Sequence, residues 1–352
     1  MTSLAETVSR WPKAELHLHL EGSITPDTAR ELAARHGASL TQQEVAARYS
    51  FPDFNGFIQS YIWVTSFLRR PEDYAFIARR HFEELKRQNV VYAEITLSVG
   101  VMLWREQDPS AIFAALRGPA EEAARVGLRV QWVFDIVRQF GAEKAMPVAE
   151  IAARHRHEGV VAFGMGGDEL AVPAEDFRPV YDYARSQGLR ALVHAGEIGG
   201  PEEVRRAVEL LGAERVGHGI GAVLDPAVMA MLARRRIPLE ICPTSNICTG
   251  ALARLWRSDS SLRSSSSPPS LRDHPIAKLF CAGIPITLST DDPGMFRTNL
   301  LEEYQAAAVA GLSLHDLAHV AEEGFEAAFL PAPERDALRA RFRETLRAQG
   351  LL

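Results

Sequence analysis

Eight short apolar runs, separated by longer Ala/Glu/Arg-rich segments, constrain this chain more than any other feature. They span residues 15–20, 90–97, 129–137, 160–164, 190–194, 215–218, 238–242 and 285–289. Strand-like runs that alternate with helical segments argue for βα units and a parallel sheet. Eight such units point to an α/β fold, a (β/α)8 TIM-type barrel. Most of the runs are nearly all apolar, as strands buried on both faces should be. A length of 352 residues suits one barrel domain, so residues 1–352 are expected to form a single unit.

Composition narrows the function classes. Hydrophobic residues make up 47% and charged residues 24%, the balance of a soluble globular protein. A net charge of -6 offers no basic field to a nucleic-acid backbone. No apolar run reaches the roughly 20 residues that span a bilayer. Residues 1–11 have no apolar core of a signal peptide, so a cytoplasmic protein is expected. Three cysteines make no disulfide framework. Residues 257–271, with Ser264-Ser-Ser-Ser-Pro-Pro269, read as a low-complexity loop insertion without chemistry.

The first crossover, residues 25–88, is too long for one helix. Residues 27–36, after Pro26, predict one helix. Residues 57–68 are rich in Phe, Ile, Tyr and Trp and predict either core packing or a helical lid. Insertions after strand one emerge on the face that carries barrel chemistry, which favours the lid. Segments 121–125, 201–211, 226–235 and 300–310 predict amphipathic helices, with a closing helical region from Ser313.

The strand ends hold the chemistry. Strand one ends in His17-Leu-His19, strand five in His194-Ala-Gly-Glu197, strand six in Gly217-His218-Gly219 and strand eight in Ser289-Thr-Asp-Asp292. Alternation along a strand puts His17 and His19 on one face. In a barrel these ends meet at one mouth. Each residue alone has a plain structural use, a core histidine or a turn aspartate. Gathered at one mouth, such groups need a purpose to offset their desolvation. Three imidazoles and a carboxylate (His17, His19, His194 and Asp291) suit Zn²⁺ with an open position for water. Residues 160–167 hold no lysine to bridge two ions, so one Zn²⁺ per chain is expected. Zinc lowers the pKa of bound water towards roughly 7. Glu197 is placed to act as general acid, and His218 to hold or deprotonate the water.

With Glu15-Leu-His-Leu-His-Leu-Glu-Gly22, Gly167-Asp-Glu169, His194-Ala-Gly-Glu197, Gly217-His-Gly219, Pro243-Thr-Ser-Asn246 and Leu288-Ser-Thr-Asp-Asp-Pro293, the chain resembles the adenosine deaminase family. The resemblance implies zinc on His17, His19, His194 and Asp291, and a 6-aminopurine as the small-molecule substrate. It implies that Glu197 protonates ring N1, that water attacks C6 and that ammonia leaves. His218 then orients the water, Asp292 meets N7, and the Gly167 amide meets N3. Asp291 is also expected to be catalytic, and His19 and Glu21 to be substrate-binding.

Three departures bear on the substrate. Glu21 stands where adenosine deaminases usually have an aspartate on the ribose side. Strand two runs Glu94-Ile-Thr-Leu-Ser-Val-Gly-Val-Met-Leu-Trp104, unlike adenosine or adenine deaminases, and strand four has Gly164 in place of an aspartate. The pattern resembles the branch acting on 6-amino-6-deoxyfutalosine, a purine nucleoside bearing a benzoate, in menaquinone synthesis. Arg105 or Arg138 would then meet the benzoate. Adenosine and adenine remain alternatives. A cytidine-type deaminase would need Pro-Cys-x-x-Cys, which is absent. Other barrel hydrolases and a non-catalytic zinc or purine-binding barrel are further rivals. The oligomeric state leaves no mark in the sequence.

Overall fold

In a computed structural model, which describes residues 3–51, 53–258 and 269–352, eight parallel strands follow one another in a single sheet. They are β1 (Lys13–His19), β2 (Val90–Leu97), β3 (Arg129–Val137), β4 (Val160–Gly166), β5 (Arg190–Ala195), β6 (Arg215–His218), β7 (Leu239–Ile241) and β8 (Ile286–Leu288). Each pairs with the next. A bridge between Leu18 and Asp291 nearly closes the barrel. There the Asp291 amide donates to His17 O at 3.0 Å, and the His19 amide to Asp291 O at 2.9 Å.

All residues of β1 and β2 are buried. That suits strands covered on both faces, and the polar groups in them find partners: Lys13 Nζ donates to Val8 O at 2.9 Å and Trp11 O at 2.7 Å. β7 and β8 are shorter than the sequence predicts. The Ser289 hydroxyl, not a backbone ladder, takes the Leu16 and His17 amides, at 3.3 and 3.1 Å. The lower barrel is filled by Val133, Ala162 and Leu192, with Phe329 packed against them.

The first crossover holds four α-helices, Pro26–Arg35, Gln42–Arg48, Phe54–Thr65 and Pro71–Arg87. Local chemistry starts them. Thr25 and Asp53 cap their helices through side-chain oxygens, and Thr41 with Glu44 forms a capping box. The Phe54–Thr65 helix buries Phe57 and Val64 and turns Ile58 and Tyr61 into a cavity above the strand ends. Its aromatic composition thus serves core and cavity wall together. The Arg105 guanidinium fastens its end, donating to Thr65 O at 2.8 Å and Thr65 Oγ1 at 2.9 Å. The Ser/Pro-rich insertion falls mainly on residues 259–268, outside the described residues.

Candidate metal and catalytic site

His17, His19, His194 and Asp291 meet at the mouth of the barrel. One ligand atom from each lies within 4.8 Å of the others. His17 Nε2 and His19 Nε2 each stand 3.4 Å from Asp291 Oδ1, and His19 Nε2 is 3.3 Å from His194 Nε2. The register of β1 against β2 slips between Glu15 and Leu18, yet the rings of His17 and His19 still converge, 5.6 Å apart.

The surroundings fix which nitrogen faces the centre. His17 Nδ1 pairs with Glu240 Oε2 at 2.8 Å, and His194 Nδ1 with Met165 O at 3.0 Å. His17 Nε2 is buried without a hydrogen-bond partner. Buried imidazoles engaged at one nitrogen and free at the other are built for a cation. Ser245 donates to Asp291 Oδ2 at 2.7 Å, which orients the carboxylate. Burial would raise the Asp291 pKa, but His17, whose Nε2 lies 3.4 Å from Oδ1, and the other nearby imidazoles hold it well below the usual range. Burial pushes His19 down to about 4, so it is neutral and able to ligate. The donor set therefore fits a divalent cation of the zinc type.

Backbone strain and close packing accompany the site. His218 and Asp291 have φ of 61° and 64°, left-handed values costing a non-glycine residue about 1–3 kcal/mol. Gly217 leaves room for His17: a Cβ there would lie 2.6 Å from His17 Cε1.

Glu197 and His218 stand beside the four donors. His218 Nε2 is 3.7 Å from Glu197 Oε2 and 3.9 Å from Asp291 Oδ2. Its Nδ1 is 3.1 Å from Asn246 Nδ2, and Asn246 Oδ1 is 3.1 Å from His274 Nε2. The Thr249 hydroxyl donates to Glu197 Oε1 at 2.8 Å. Burial raises Glu197 to about 7, and the Asp291 charge pushes the same way. A carboxyl so tuned can hold a proton near neutral pH and give it up. Glu169 shapes the loop that carries it. Its two oxygens take the amides of Gly196, Glu197, Ile198 and Gly199 at 2.7–3.2 Å.

The cavity above the site is about 300 Å³. Gly167 and Asp292 line it, and Asp292 Oδ1 is unpartnered. Glu21 stands elsewhere: it lies behind the wall, its Oε1 taking the Ser98 amide at 3.1 Å. Arg105 borders the cavity, beside Trp104 stacked on Phe140. Arg138 does not. It is buried, bonded to Glu203 Oε2 and Val172 O, both at 2.7 Å. Sequence reasoning missed Glu240, Ser245, Thr249 and Asp135. For Glu240 and Asp135 the available signal was an acid inside an apolar strand.

Barrel and site together define a metal-dependent hydrolase. The profile of the family described as adenosine deaminase matches residues 12–345. An aminodeoxyfutalosine deaminase of Streptomyces coelicolor is 41% identical over 329 residues, 92% of this chain and 81% of its own. An adenine deaminase of a Chelativorans species is 33% identical over 333 residues, 94% of this chain and 98% of its own. The crystal structure of an amidohydrolase from Burkholderia ambifaria with bound zinc superposes with a TM-score of 0.87 at 26% identity, covering 100% of this chain and 95% of the other. The chain belongs to the adenosine deaminase family, and it is a hydrolase of carbon–nitrogen bonds. No helix among the described residues is long and apolar enough to cross a membrane.

Proposed function

We propose that this enzyme holds one Zn²⁺ on His17, His19, His194 and Asp291 and hydrolytically deaminates 6-amino-6-deoxyfutalosine at C6, in the cytoplasm. The observation that carries the reaction is the adjacency of Glu197 and His218 to the four-donor cluster. A zinc ion in that cluster supplies Lewis-acid charge that makes water nucleophilic near neutral pH. Glu197 gives its proton to ring N1, which makes C6 electrophilic. His218, steadied by Asn246, orients the water, takes up its proton and passes it to the amino group, which leaves C6 as ammonia while the remaining hydroxyl proton restores Glu197. Asp292 meets N7 and the Gly167 amide meets N3, so the purine is held by both edges. Tyr61 and Ile58 wall the cavity and keep bulk water from the ring.

Support for this substrate comes from the 41% identical relative and from the mouth of the cavity. Among the described residues that line it, Arg105 is the one Lys or Arg. A guanidinium beside a Trp104–Phe140 stack suits an aromatic carboxylate. Relative kcat/KM for 6-amino-6-deoxyfutalosine, adenosine and adenine, followed by ultraviolet absorbance, tests the choice. The benzoate nucleoside should lead adenosine by ~100-fold. A lead for adenine would overturn this substrate and leave the deaminase chemistry standing.

A further inference from the structure

One polar group in the cavity wall has no part in the chemistry above. Asp135 sits in β3 within the apolar run Val133-Phe-Asp-Ile-Val137. It is 4% exposed, lines the cavity, and its Oδ1 has no hydrogen-bond partner. A buried carboxyl oxygen left unsatisfied is destabilising by about 1–3 kcal/mol, so this Oδ1 calls for a ligand.

Neighbouring residues make room for it. Gly164 and Gly166, facing β3 from β4, have no side chains to fill the space. A Cβ on Gly164 would lie 3.1 Å from Val133 Cγ1 and 3.3 Å from Asp135 Cβ. A Cβ on Gly166 would lie 3.6 Å from Asp135 Oδ2. The two glycines therefore leave the Asp135 side chain its place between β3 and β4. Ser98, just past β2, and Tyr61 border the same cavity. Among the described residues no Lys or Arg side chain pairs with Asp135, and the one guanidinium that lines the cavity is held by Thr65. The group it awaits is a hydrogen-bond donor on a ligand.

The deaminase reading, on which this inference rests, orients that ligand. Glu197 follows β5, Gly167 follows β4 and Asp292 follows β8. A purine with N1, N3 and N7 at these three points directs N9 towards the ends of β2 and β3. We propose that Asp135 accepts hydrogen bonds from the vicinal 2′- and 3′-hydroxyls of a ribose on N9, and so selects nucleosides over free bases. Two adjacent hydroxyls are donors that one carboxylate can accept together. The cavity lined by Asp135 and Gly166 gives the sugar its place.

The test compares zinc-loaded wild type, Asp135→Asn and Asp135→Ala on 6-amino-6-deoxyfutalosine, adenosine, 2′,3′-dideoxyadenosine and adenine. Zinc content and melting temperature are measured for each. Wild type should favour adenosine over its dideoxy analogue, and the ratio of their kcat/KM values should fall ~30-fold in Asp135→Ala. Asp135→Asn, which keeps the shape and one acceptor, should lie between. A merely structural role would lower both substrates together and leave the ratio in place, and that result overturns the inference. So does a wild type indifferent to the hydroxyls. A zinc-loaded wild type inert towards all four compounds overturns the deaminase reading and this inference with it, a pattern distinct from turnover without hydroxyl selection.

Discussion

His17 Nδ1 lies 2.8 Å from Glu240 Oε2, a buried contact from β1 to β7. Glu240 Oε1 in turn takes Arg215 Nε at 2.6 Å, and Arg215 reaches on to Glu94. A carboxylate behind a ligating imidazole fixes its tautomer and raises its basicity. Glu240→Gln keeps an acceptor and removes the charge; Glu240→Ala removes both. Affinity for zinc, measured by competition with a chromophoric chelator, should fall ~10-fold in the first and ~100-fold in the second. Equal affinities in wild type and both variants would show that His17 needs no such support.

Glu197 gives the pH dependence. Burial raises its carboxyl to about 7, above the usual carboxylate value. The acid form is the active one, so kcat/KM should hold level below that pH and fall above it, tenfold per unit. Glu197→Gln has no such proton to lose. It should abolish that basic limb and lower kcat by ~100- to 10,000-fold while zinc stoichiometry holds. A Gln variant that keeps the limb would assign it to another group.

The four-donor cluster was legible because ligand-type residues gather where strands end, and a barrel brings all those ends together. Their supports were not. Glu240 read as an ordinary acid, and Glu169 as part of a motif with no role of its own, until β7 and β4 bring one to His17 and the other to the loop of Glu197. Arg138 was misjudged for the same reason. Its position after β3 fits a substrate contact, but its guanidinium turns away to Glu203. Strand existence was set by local pattern, whereas the direction of a long polar side chain is decided by partners remote in sequence.

Arg215 tests how far the barrel depends on its buried charges. It is 1% exposed between Glu94 and Glu240, and its guanidinium lies 3.8 Å over the Phe329 ring. Arg215→Met removes the shared cation and leaves two buried carboxylates with lost partners. Stability to urea should drop by about 3–5 kcal/mol. Arg215→Lys keeps the charge but not the fork that bridges both acids, and should recover only part of the loss. A Met variant as stable as wild type would mean that Tyr92, which donates to Glu94 Oε1 at 2.7 Å, suffices to hold that side.

Gly217 separates the site from the fold. Its missing side chain is filled by the edge of His17, where a Cβ would lie 2.6 Å from Cε1 and 3.1 Å from Nδ1. Gly217→Ala therefore forces the His17 ring to move, because the opposing β6 backbone is tied to β5 and β7. The ring cannot shift without stretching its Glu240 bond and turning Nε2 from the centre. The variant should fold with wild-type circular dichroism, bind zinc ~10- to 100-fold more weakly and lose activity in proportion. Excess zinc should restore part of the rate, since the three remaining donors are untouched. Full activity at substoichiometric zinc would show that His17 lies outside the ligand set.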